Sequence, residues 1–158
     1  MSKTTIIAEP NKQEVIINRV FGAPRELVSH MWTDAAYIPE WWGPSKMSTM
    51  VDSLEAKKGG IWRYISQDSE GNKYAYNGVF HEVLLPERLV HTYEFEGVPA
   101  VGLVTVTFDE LPGNRTNLTE TTIYPSVEIR DGALQSGMTE GIVELMDRFA
   151  LLLNKHSI

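Results

Sequence analysis

The residues of this chain that could move a proton, hold a metal or seat a ligand are few and scattered. Its four histidines, His30, His81, His91 and His156, form no His-Glu-x-x-His or other close ligand spacing, so a zinc site is not expected. Cysteine is absent, which removes thiolate nucleophiles, thiolate ligands and disulfides together. There is no nucleophile elbow, no Gly-x-Gly-x-x-Gly turn and no Gly-Lys-Ser/Thr phosphate loop. The sequence therefore assigns no catalytic residue, no metal ligand and no cofactor.

Two polar residues stand out within apolar stretches. The role of His91 depends on the turn at Pro86. A three-residue turn, Leu85-Pro86-Glu87, sets it opposite His81, and a two-residue turn, Pro86-Glu87, sets it opposite Glu82. The second register would form a His–carboxylate pair that biases the imidazole toward protonation and supports acid–base work on a nearby hydroxyl. Glu120 alternates with Leu118 and Thr122 on one strand face. If that face is the inner one, the carboxylate needs a partner, a proton or a ligand; in the other register it is solvated.

The denser signal is aromatic, with 4 Trp, 6 Tyr and 5 Phe. Trp41-Trp42 places two adjacent indoles where both cannot easily be buried on one helical face, so at least one is a candidate for a cavity mouth. Trp62 and Tyr64 share a strand face, as do Tyr74, Tyr76 and Phe80 on the next strand. Inward tyrosines carry hydroxyls that need partners, which favours a cavity holding water or ligand over a dry core. Met138, Ile142 and Met146 offer an adaptable helix surface. The candidate ligand-binding set is Trp32, Trp41, Trp42, Trp62, Tyr64, Tyr76, Phe80, His91, Tyr93, Glu120, Met138, Ile142 and Met146.

These residues need elements to position them. Glu14 to Phe21 is β-branched and ends at Gly22, a strand, with residues 1–13 as a loose lead-in. Pro24 opens a short helix, and Thr33 or Asp34 caps a second one that Pro39 interrupts and Gly43-Pro44 ends. Strands are expected near 46–55, 60–66, 74–84, 88–95, 102–110 and 115–124, separated by Gly and Pro turns. Leu134, Met138, Ile142, Leu145, Met146, Phe149, Leu152 and Leu153 then recur at three- and four-residue intervals, predicting one long amphipathic helix with Asp131 as its N-cap. Gly137 and Gly141 would share one side of that helix and permit close approach. A broad antiparallel sheet with one apolar face needs a cover, and only this helix is long enough to supply it.

The motifs Trp32-Thr33-Asp34, Trp41-Trp42-Gly43-Pro44, Gly59-Gly60-Ile61-Trp62-Arg63-Tyr64, Glu70-Gly71, Asn77-Gly78-Val79-Phe80, Pro86-Glu87-Arg88-Leu89-Val90-His91-Thr92 and Gly137-Met138-Thr139-Glu140-Gly141 occur in that order. Together they resemble the activator of heat-shock protein 90 ATPase homologue-like family. The resemblance runs from about Glu14 to the C-terminus. It implies an α+β helix-grip fold of the START-like, birch-pollen-allergen-type (SRPBCC) superfamily: a curved antiparallel sheet of about seven strands, two short helices at one end and a long C-terminal helix over the concave face. Relatives of this kind bind hydrophobic small molecules between sheet and helix. The family often has Trp where this chain has Ile142, and it usually keeps the segment around Pro39 helical. Both positions would shape a pocket, so the identity of a ligand does not transfer.

Composition narrows the remaining choices. Fourteen basic and 21 acidic residues give a formal charge of −7, which works against nucleic acid and anionic lipid as partners. No segment approaches the ~20 apolar residues of a membrane span, and the N-terminal stretch is too short for a signal peptide. The reading is a single cytoplasmic domain over residues 1–158, without membrane insertion and with a homodimer left open. Its first expected function is binding a hydrophobic or aromatic small molecule, without catalysis. The alternatives are an enzyme of the aromatic-cyclase or hydrolase type using a pocket His or Glu, and a co-chaperone that activates a chaperone ATPase.

Overall fold

The computed structural model describes residues 3–156; Met1 and Ser2 of the lead-in, with Ser157 and Ile158, lie outside the described residues. The strands are β1 (Thr5–Ile7), β2 (Glu14–Phe21), β3 (Ser48–Leu54), β4 (Ile61–Gln67), β5 (Lys73–Leu84), β6 (Arg88–Phe95), β7 (Val101–Leu111) and β8 (Arg115–Ile123). They form one 8-stranded antiparallel sheet in the order β1-β2-β8-β7-β6-β5-β4-β3. The expected strand from Glu14 becomes β2, and its alternation points Val15, Ile17, Arg19 and Phe21 inward. The lead-in is not loose throughout, because Thr5–Ile7 pairs with β2 and supplies a strand beyond the seven expected.

Helix α1 (Arg25–Thr33) follows Pro24, and α2 (Ile38–Trp41) is a single turn. Pro39 does not interrupt α2. It stands in the first turn, where its missing N–H leaves no helical bond unmade. The two short helices pack against the end of the sheet and bury Val28, Met31, Ile38 and Trp41.

The C-terminal segment is two helices instead of one. Helix α3 (Val127–Gln135) is capped by Ser126, whose Oγ accepts from the Ile129 N–H at 3.1 Å, so Asp131 lies inside this helix and is not its cap. Helix α4 (Met138–His156) begins after Gly137, which has φ of +87°. That left-handed conformation suits glycine and stops the first helix. A Cβ at Gly137 or Gly141 would meet nothing within 4 Å, so neither is there for close approach. The apolar spacing carries through the break, since Leu134 and Met138 both still pack on the core.

Three polar ties hold α4 across the sheet. Arg19, buried on the inner face of β2, bonds Asp147 at 2.5 Å. Arg148 donates to the carbonyls of Gly43 at 2.6 Å and Glu40 at 2.9 Å. The Glu144 carboxylate accepts from the Ser45 backbone N–H. Helix α3 is anchored by Arg130, only 3% exposed, which donates to the carbonyls of Glu9 at 2.7 Å and Glu14 at 3.1 Å.

The break between α3 and α4 separates the effects of two glycines. Gly137→Ala is expected to destabilise the protein by about 1 kcal/mol in urea unfolding, because alanine is strained at positive φ. Gly141→Ala, in open space within α4, is expected to stabilise by up to ~1 kcal/mol. A single continuous helix would gain stability from both.

Candidate functional site

Between the inner sheet face, the short helices and the first half of α4 lies a cavity of about 200 Å³. The wall from α4 consists of Met138, Ile142, Leu145 and Met146; α1, α2 and the residue after them contribute Trp32, Thr33, Ile38, Trp41 and Trp42. The sheet contributes Val15, Ile17, Leu54, Trp62, Tyr64, Phe80, Leu89, His91, Tyr93, Val104, Glu120 and Thr122, with Tyr124 just beyond β8.

The placement of Trp62 and His91 rests on a local interruption of the β5–β6 ladder. Leu84 faces Arg88, as a three-residue turn requires, but the ladder then shifts between Phe80 and Glu82, so His91 pairs with Phe80. Neither expected partner of His91 is therefore opposite it. Glu82 pairs with Val90 and its carboxylate bonds Arg88 instead. At the next step the Val79 N–H turns to the Thr92 side-chain oxygen at 2.8 Å. The Thr92 carbonyl is thus available to the interior, where it accepts from the Trp62 indole N–H at 3.1 Å and lies 2.9 Å from His91 Nδ1.

This geometry selects one form of the histidine. A carbonyl can only accept, so Nδ1 carries the proton and Nε2 is left as an acceptor when the ring is neutral. Burial pushes the imidazole pKa below its ordinary value, partly countered by the Thr92 hydrogen bond, so the neutral form prevails at neutral pH. The Trp62 indole can reach Thr92 only because residue 78, opposite it on β5, is glycine. A Cβ there would lie 1.9 Å from the Thr92 oxygen and 2.3 Å from Trp62 Nε1.

Glu120 faces inward. Its cross-strand neighbours are Ile17 on β2 and Val106 on β7, which are 3% and 0% exposed. The part of its surface that remains accessible opens on the cavity. Burial alone pushes its pKa up to about 7, with no hydrogen bond or cation to counter it. Tyr93 and Tyr124 are held above the ordinary tyrosine range, first by burial and in part by the Glu120 charge. The Tyr124 hydroxyl lies 3.2 Å from Met138 Sδ, its acceptor on α4.

Every residue of the candidate set except Tyr76 borders this space. Tyr76 stands behind it, its ring centroid 4.9 Å from that of Trp42 and 6.1 Å from that of Tyr93. The adjacent indoles divide as their spacing implied. Trp41 is 2% exposed, donates to the Met31 carbonyl at 3.3 Å and lies with its ring centroid 4.5 Å from that of Trp32, the planes tilted by 32°. Trp42 is half-buried and meets the ring of Tyr64 at 5.1 Å. Sequence reasoning missed Tyr124, Thr122 and Leu145, although strand alternation from Glu120 and the helix stripe both carried the signal. Thr33, Ile38 and Leu54 reach the cavity through tertiary packing, for which the sequence has no local mark.

Residues 22–154 match the family described as Activator of Hsp90 ATPase homolog 1-like protein. The chain belongs to that family. Among solved structures it is similar to a crystal structure of a Rhodobacter sphaeroides protein, with TM-score 0.86, 24% identity, and coverage of 96% of this chain and 98% of that one. A solution structure from Arthrobacter aurescens gives TM-score 0.87 at 24% identity, covering 96% and 91% of the two chains. The AHSA1 protein of Silicibacter pomeroyi gives 0.75 at 20%, covering 90% and 99%. At these identities the likeness establishes the helix-grip fold alone. No protein of curated function matches the sequence. Among the described residues, no helix is long and apolar enough to cross a membrane.

Two substitutions test the site as a structure. Gly78→Ala is expected to cost about 2–4 kcal/mol in urea unfolding, because the methyl group displaces Trp62 from the Thr92 carbonyl, and to alter tryptophan fluorescence. For Glu120, a folded pKa above the unfolded one means that its stabilising contribution is complete at low pH and is lost as pH rises through about 7. The stability difference between Glu120→Gln and the parent chain is therefore expected to shift by ~3 kcal/mol in favour of the variant between pH 4.5 and pH 8. A difference that stays constant across this range would place the carboxylate in water.

Proposed function

We propose that the protein binds a small, largely apolar molecule in the cavity between the sheet and α4. The observation that supports this reading is a space walled by indole and phenol rings and bordered by two groups that can only accept, the ionised Glu120 carboxylate and Nε2 of the neutral His91, for which the described residues supply no partner. Buried polar groups are ordinarily satisfied, so partners for these two are expected from water or a ligand. A cavity of about 200 Å³ is below the ~300 Å³ at which drug-sized pockets begin, and above the ~150 Å³ that encloses benzene. The ligand is accordingly one ring with a short substituent, or an aliphatic molecule of similar bulk.

A second reading, acid–base catalysis, is favoured by the inward orientation of both groups. They stand on β6 and β8 with β7 between them and two residues out of register, since His91 lies in line with Thr122 and Glu120 with Leu89, so their backbones are roughly 12 Å apart. A substrate would have to lie between them, so catalysis too begins with binding in this space.

The test is a panel of single-ring and small aliphatic compounds, followed by thermal unfolding and tryptophan fluorescence. A ligand at ten times its Kd is expected to raise Tm by about 3–6 °C. Ile142→Trp, which fills the α4 side of the cavity, is expected to abolish the response while leaving the far-UV circular dichroism intact. No response from any member of the panel would reject the reading.

A further inference from the structure

We infer that the cavity selects a small protonated amine, seated with its ammonium group on Glu120 and its apolar body against the rings of Trp62 and Tyr93. This rests on the reading of the cavity as a binding site and names the class of molecule it takes.

The sign of the lining comes first. Among the described residues, no lysine or arginine borders the cavity and Glu120 is the one acidic residue that does. His91 is held neutral by burial. A carboxylate or phosphate ligand would therefore meet no cation and one carboxylate. An ammonium group would supply the counter-charge that Glu120 lacks. With Glu120 ionised, that pairing is strong in a low-dielectric site and a like-charge encounter is unfavourable.

The direction of the unused hydrogen bonds agrees. Four donors around the cavity are committed, Trp62 and His91 Nδ1 to the Thr92 carbonyl, Trp41 to the Met31 carbonyl, and Tyr124 to Met138 Sδ, while the hydroxyls of Tyr64, Tyr93 and Thr122, which have no partner among the described residues, can donate or accept. Acceptors remain, namely both oxygens of Glu120 and Nε2 of His91. An ammonium group has three donors and no acceptor, and so complements the ionised Glu120 carboxylate.

The rings supply the third element. Trp62 and Tyr93 lie stacked with centroids 6.1 Å apart and planes inclined by 29°. Such faces attract a cation as well as an apolar body. The formal charge of −7 on the whole chain adds a long-range field of the same sign preference.

The pairing carries a pH dependence. The titratable groups that share the cavity with Glu120 are Tyr64 on β4, Tyr93 and His91 on β6 and Tyr124 after β8, while Met138, Ile142, Leu145 and Met146 on α4 are uncharged. Arg19, the next inward position beyond Ile17 on β2, is engaged by Asp147 of α4. With Glu120 titrating near 7 in the empty protein, amine affinity is expected to be about 30-fold weaker at pH 5.5 than at pH 8.5.

Isothermal titration calorimetry with three near-isosteric probes, 2-phenylethylamine, 2-phenylethanol and phenylacetate, tests the inference. At pH 8 the amine is expected to bind at least tenfold tighter than the alcohol, with no detectable binding of the acid. Glu120→Gln is expected to remove that preference and flatten the pH profile, while leaving alcohol affinity within about twofold. Alcohol or acid binding as tightly as the amine, or a preference retained in Glu120→Gln, would overturn the amine inference and leave the binding reading standing. The amine inference is likewise overturned, and binding retained, if none of the three binds while other members of the broader panel do. Silence from all three and from the whole panel overturns both.

Discussion

The interior of this protein depends on where α4 is pinned to the sheet. Phe149, fully buried, is met by the rings of Phe21 at 5.2 Å, Trp32 at 5.2 Å and Trp41 at 4.8 Å. This cluster joins α4 to β2 and to both short helices at one place. The helix is therefore sealed against the core along Met146, Phe149, Leu152 and Leu153. A straight cylinder held at one end of a concave sheet must stand off at the other, and there Met138, Ile142 and Leu145 remain half-buried over open space. The cavity is a consequence of that mismatch in shape, with Arg19, Glu144 and Arg148 keeping the helix from sliding to close it.

Within the cavity, one backbone carbonyl organises the polar chemistry. Where the β5–β6 ladder is interrupted, Thr92 presents its oxygen to the interior and takes two side-chain donors. Trp62 is thereby fixed as a wall, and His91 is fixed as the tautomer with a free Nε2. The absence of a side chain at Gly78 makes the approach feasible. Glu120 has no equivalent support. Its neighbours Ile17 and Val106 offer only apolar contact, and it therefore holds its proton to a higher pH than an exposed carboxylate would. Of these two groups, His91 is made rigid by the protein and Glu120 is left for water or a ligand to satisfy.

Much of this arrangement is written in local patterns. The period-two alternation of β2, β4 and β8 states which residues share a face, and it correctly groups Trp62 with Tyr64 and Glu120 with Thr122. The three- and four-residue recurrence after Leu134 marks the covering surface. That same recurrence runs unbroken through Gly137, so periodicity alone reads one helix where there are two; the left-handed turn keeps the apolar stripe in phase while ending the hydrogen-bond ladder. Thr5–Ile7 escaped notice because a strand of three residues is too short to show a period, and β2 is what makes it one. Tyr76 has the right face and the wrong position, since Trp42 and Tyr93 stand between it and the cavity.

By itself, the sequence determined the class and order of the longer elements apart from the break at Gly137, most of the inward residue sets and the exclusion of thiolate chemistry, because these follow from residue type and from periods of two and about 3.6. It left open the partner of His91 and the side of the sheet on which Glu120 falls. Those were decided only in three dimensions, by a one-residue register shift between Phe80 and Glu82 and by the pairing of β8 between β2 and β7. Strand register is a long-range property: a shift of one residue changes which side chains meet while leaving local composition untouched. The chemistry of the cavity rests on that register.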